Sequence, residues 1–110
     1  MARSLLTPHR RKVICEAIAM GCPWDQAARA AGVSPRTLSA WRTRGYASEK
    51  GPHRALVDAL ETAEAEGMRR NLAVIDEAAQ KGDWKAAAWR LERRHPREFG
   101  RNRHTPPPEV

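Results

Sequence analysis

Residues 27 to 45, AARAAGVSPRTLSAWRTRG, carry a helix stop and a helix start only two positions apart. Gly32 suits the left-handed conformation that closes a helix. Ser34 suits the N-cap of the next one, and Pro35 its first position, where a missing N–H is harmless. Two helices joined this tightly must cross steeply, which demands a small residue at the contact and a glycine in the turn. Ala28 and Gly32 satisfy both demands, and Ala27, Ala31, Val33, Leu38 and Trp41 supply an apolar inner face. The stretch reads as a helix-turn-helix unit.

The remainder is helical as well, because one Tyr, one Phe and no alternating run of Val, Ile or Thr leave nothing to build strands from. A first helix is expected from Pro8 to Met20, capped by Thr7 and ended by Gly21, with Val13, Ile14, Ala17 and Ile18 as its buried stripe. A second runs from near Pro23 to Gly32, and the third ends by Arg44. RGYASEKGPH then reads as a linker. From Pro52 to Lys81 apolar residues recur at helical steps, consistent with one helix of about 45 Å, with Gly67 a point where it can bend. Glu66 with Arg70, and Glu77 with Lys81, stand in the favourable order four residues apart. Gly82 and Asp83 place a helix stop beside a helix cap, so a last helix from Trp84 to about His95 should fold back as a hairpin. Pro96 ends it, and GRNRHTPPPEV reads as an extended tail.

Charge is partitioned along this plan. Lys and Arg outnumber Asp and Glu nine to three in residues 1–51 and seven to four in residues 83–110, but are outnumbered four to six in residues 52–82. The sum is +7, and two basic ends flank an acidic middle with a different task. Clustered cations favour a polyanionic partner through counterion release. On the third helix the outward residues are Pro35, Arg36, Thr37, Ser39, Ala40 and Thr43, small and polar enough to enter a major groove about 12 Å wide. Arg36 is long enough to reach a guanine edge. Ser34, Arg42 and Arg44, with Arg10, Arg11 and Lys12 on the first helix, suit phosphates, which position a protein without specifying sequence.

Catalytic and metal-binding patterns are not apparent. Cys15 and Cys22 lack a CxxC or His-x-His companion and read as reduced, small core residues. The four histidines fall in loops and termini, where solvation is the simpler expectation. Glu61, Glu64 and Glu66 read as surface acids, and no GxxxxGK loop is present. The four tryptophans are read as core or interface anchors rather than stacking platforms, Trp41 and Trp84 lying on apolar stripes. The chain is expected to be non-enzymatic, without cofactor, and cytoplasmic, since no leader or membrane-spanning run is seen.

A helix of about 30 residues cannot cover its apolar stripe with a return helix of about 12. The stripe of Leu56, Leu60, Ala63, Met68, Leu72, Ile75, Ala79, Trp84 and Leu91 is therefore expected to bind a second copy. Assembly would raise the joint DNA affinity of several weak units. The organisation expected is all-α: a helix-turn-helix DNA-binding domain at 1–45, a linker at 46–51, an oligomerising long-helix/short-helix hairpin at 52–95, and a basic, proline-rich tail at 96–110.

AARAAGVSPRTLSAWRTRG, then ALETAEAEGMRRNLAVI, then AAQKGDWKAAAWRLERRHPREFGRN resemble the small terminase subunits of tailed bacteriophages over residues 8 to 103. GDWKAAAWRLERRHPREFGR is the most specific part. The resemblance implies a DNA-packaging component in the host cytoplasm, a ring of about eight to eleven copies that binds double-stranded viral DNA and delivers it to the large ATPase and nuclease subunit. Residues Ser34 to Arg44 would contact DNA, residues 52 to 95 would form the oligomer, and the segment after Pro96 would meet the large subunit. The rival readings are a dimeric helix-turn-helix transcription regulator and a transposase DNA-binding subunit.

Overall fold

In a computed structural model the described residues are 5–100, and they form six helices and no strands. Helix α1 (Pro8–Ala19) starts where Thr7 Oγ1 accepts the Arg10 N–H at 3.1 Å. Helix α2 (Trp24–Ala30) is followed by Gly32 at φ 78°, a left-handed turn that an L side chain rarely adopts. Helix α3 (Pro35–Tyr46) opens on Ser34, whose Oγ accepts the Thr37 N–H at 3.1 Å. Helix α4 (Pro52–Gln80) is followed by Gly82 at φ 99° and by Asp83. The Asp83 carboxylate accepts the Lys85 N–H at 3.0 Å and starts helix α5 (Trp84–Arg94). A final turn, α6 (Pro96–Phe99), shows that Pro96 opens a short helix where an extended tail was expected. Residues 101–110 lie outside the described residues.

The chain divides into two compact units at Arg69/Arg70, inside α4. In the first, Ile14, Ala17 and Ile18 of α1, Ala27 and Ala28 of α2, and Val33, Leu38 and Trp41 form one core with Leu56, Leu60 and Ala63 of α4. This corrects two expectations. The folded N-terminal unit does not stop at residue 45, and Leu56, Leu60 and Ala63 are no surface for a second copy. They are 0%, 2% and 6% exposed within their own chain, because α1 to α3 offer too little apolar surface to close a core without them.

Gly45 stands in a stretch expected to be a linker, and Gly67 where a bend in α4 was expected. Both lie inside unbroken helices and are buried. A methyl group on Gly45 would sit 2.3 Å from the His53 carbonyl oxygen, and one on Gly67 2.4 Å from that of Ala19. Each glycine permits a backbone-to-backbone approach, α3 against the start of α4 and α4 against the end of α1.

His53, expected to be solvated, is buried at this contact. Its pKa is lowered, first by burial and then by the nearby Arg44 charge. A histidine kept neutral on folding binds protons more readily when unfolded, so its contribution is complete above its ordinary pKa of about 6.5 and is lost as pH falls through that value toward the lowered one. Thermal melts from pH 7.5 to pH 5 should therefore fall more steeply for the wild type than for His53→Gln. Parallel slopes would remove His53 from the explanation.

The second unit begins at Arg70, and none of its described residues, 70–100, is buried. Helix α5 is tied to the end of α4 by an Arg90–Asp76 ion pair, while Gln80 Nε2 donates to the same Asp76 carboxylate at 2.8 Å. Glu77 and Lys81 pair at 3.0 Å as expected, but no ion pair joins Glu66 to Arg70. Leu72, Val74, Trp84, Trp89, Leu91 and Phe99 are all exposed. Trp84 is 71% exposed, so within this chain it anchors no core.

Candidate nucleic-acid interface

Helix α3 separates its residues by face. Leu38, Trp41 and Gly45 are buried, whereas Arg36, Ser39, Ala40, Thr43 and Arg44 are exposed. Arg36 has no hydrogen-bond or ion-pair partner among the described residues. Ser39, Ala40 and Thr43 are short beside it, so the guanidinium stands above a low polar surface. Pro35 and Thr37 are partly covered, and the Thr37 hydroxyl shares a 2.9 Å hydrogen bond with the Ser34 hydroxyl. The Ser34 hydroxyl acts first in capping the helix, and the Thr37 hydroxyl is bonded to it.

Two of the expected phosphate-binding arginines have structural roles. Arg10 Nε donates to the Ala31 carbonyl at 3.1 Å and Nη1 to the Leu5 carbonyl at 3.0 Å. Ala31 closes α2, so Arg10 places a cation on an otherwise unsatisfied helix-end carbonyl and ties α1 to the turn. Arg42 lies 3.8 Å over the Trp24 ring, with Nε buried and lacking a hydrogen-bond partner. The stack holds the guanidinium in one place, and the desolvated Nε is compensated by the ring's negative face. Trp24, expected to be an anchor, does pack against the core, and it also orients Arg42. The two residues are 18 positions apart, so no local sequence signal could have paired them.

On α1, Lys12 is exposed and Arg11 partly so. Arg11 lies near Cys15, whose thiol pKa is pushed up by burial and only partly lowered by that cation. Cys15 and Cys22 are both free thiols packed against the core. Among the described residues no three His, Cys, Asp or Glu side chains converge as a metal site would require, and no helix is long and apolar enough to cross a membrane. Arg29, not expected at the site, pairs with Asp25 at 3.3 Å on the α2 surface.

Comparison with protein-family models, with curated proteins and with solved structures finds no match to this chain.

Proposed function

We propose that this chain is a non-catalytic DNA-recognition protein in which α2 and α3 act as a helix-turn-helix and the second unit joins copies together. The reading extends to the small terminase subunit class: an assembly that binds double-stranded viral DNA for packaging and passes it to a large ATPase and nuclease subunit. The observation that carries it is the two-sided character of α3. Its inner face is fixed in the core, and its outer face offers Arg36 above Ser39, Ala40 and Thr43 with Arg44 beside them. A helix so presented can enter a major groove with its long cation free to meet a base edge.

The buried Ala28 and the left-handed Gly32 support the steep α2–α3 crossing this unit requires. Self-association is supported by the second unit, in which none of the described residues is buried and large apolar side chains stand open to solvent. Surface of that kind marks an interaction site.

Two measurements test the proposal. Fluorescence anisotropy with duplex DNA should give binding that weakens steeply with salt, and affinity indifferent to salt would refute nucleic-acid recognition. Native mass spectrometry should give a closed species well above a dimer, whereas a strict dimer would move the chain to the transcription regulators. Leu72→Glu, on the exposed part of α4, should lower the assembly's mass while the helical signal of the N-terminal unit is retained. Unchanged mass by light scattering would exclude that face from assembly.

A further inference from the structure

The second unit holds a groove of about 350 Å³ between the end of α4 and α5. Ala79, Ala87 and Leu91 line it with apolar surface, and Arg90, Arg94 and His95 stand around it. Arg90 is engaged with Asp76. Arg94 has no acidic partner among the described residues.

A surface of opposite character lies on the first unit. Glu61, Glu64, Ala65 and Met68 follow helical spacing along one exposed side of α4. Met68 is 62% exposed, and neither Glu61 nor Glu64 has a cationic partner among the described residues. This side thus has an unbranched apolar side chain, suited to filling an irregular gap, with a carboxylate one helical turn before it. The groove has an apolar floor with a free guanidinium on the next turn of α5 after Ala87 and Leu91.

We propose that these two surfaces bind each other between copies of the chain, Met68 of one protomer entering the Ala79, Ala87 and Leu91 groove of the next while Glu64 faces Arg94. The inference rests on the reading that the chain self-associates, and adds which surfaces meet. Charge favours this pairing over contacts between like surfaces. Two grooves face to face would bring Arg94 against Arg94, and two α4 faces would bring carboxylate against carboxylate, each arrangement unfavourable. When the contact is made once between two copies, and not exchanged reciprocally across a two-fold axis, it is heterologous, each added copy leaves one groove and one acidic face open, and assembly continues until a ring closes or a filament grows.

The test uses full-length protein in native mass spectrometry, with circular dichroism to verify folding. Arg94→Glu alone and Glu64→Arg alone should each fall from the wild-type assembly toward the single chain of 12.3 kDa. An equimolar mixture of the two variants should recover assemblies with an even number of copies, because alternating copies restore an opposite-charge pair at every contact. Failure of the mixture to recover, or wild-type mass in both single variants, would overturn the proposed pairing while leaving self-association intact. A monomeric wild type would overturn both. If Arg94→Glu retains wild-type mass but loses affinity for duplex DNA, the groove's rim serves nucleic acid and the pairing is wrong.

Discussion

Gly45→Ala and Gly67→Ala should each destabilise the protein, although alanine is the better helix former at both positions. Propensity favours the substitution by about 1 kcal/mol. Opposing it, the new methyl at Gly45 would lie 2.3 Å from a backbone carbonyl oxygen and that at Gly67 2.4 Å from another. A side-chain tip can swing aside, but a carbonyl inside a helix moves only if the helix moves. Overpacking that forces backbone shifts typically costs about 1–3 kcal/mol, occasionally more, so the clash should outweigh the propensity gain. The melting temperature should fall by roughly 4–8 °C for each kcal/mol lost. Thr62→Ala, exposed on the same helix, supplies the comparison, since it changes propensity without a contact and should be neutral or slightly stabilising. Melting temperatures that rise in either glycine variant would mean that the helices do not approach as closely as described.

The second large effect concerns DNA discrimination. Arg36→Ala should weaken binding to a preferred site by about 1–3 kcal/mol and leave binding to random duplex nearly unchanged. Arg44→Ala should weaken both DNAs alike and reduce the slope of log affinity against log salt by about 1. Equal losses on the two DNAs for Arg36→Ala would place that residue on the backbone. Arg42→Ala should resemble Arg44→Ala. Because the Arg42 guanidinium rests on Trp24, Trp24→Leu should reproduce part of its loss by removing the ring face while keeping apolar bulk. Competition titrations over a series of salt concentrations separate these outcomes.

Local chemistry made much of the fold legible. Thr7, Ser34 and Asp83 accept the backbone N–H bonds expected of helix caps, and Gly21, Gly32 and Gly82 take the left-handed conformation after helices. Such signals involve residues within a few positions of one another. What escaped depends on how distant helices cross. Apolar periodicity placed Leu56, Leu60, Ala63, Met68 and Leu72 together on α4, but it could not say that the first three close the chain's own core while the last two remain exposed. Gly45 falls in a stretch that reads as a linker, and only the nearby His53 carbonyl reveals it as a contact. For the candidate site, the exposure of Arg36, Ser39, Ala40 and Thr43 on α3 was legible from helical spacing, while Pro35 and Thr37 are partly covered. The bonding of Arg10 to Ala31 and the stacking of Arg42 on Trp24 were not legible, since each joins separate helices.

The passage of α4 from one compact unit into the other, without a break at Gly67, has a consequence for how the second unit orders. Nucleating a helix is costly because several residues must be fixed for the first hydrogen bond, while each later residue adds its own bond. The buried turns around Leu56, Leu60 and Ala63 supply that nucleus, so residues 70–80 need only propagate an existing helix. Amide hydrogens should accordingly exchange slowly near Leu60 and progressively faster toward Gln80 in an isolated chain, a gradient of protection along one continuous helix.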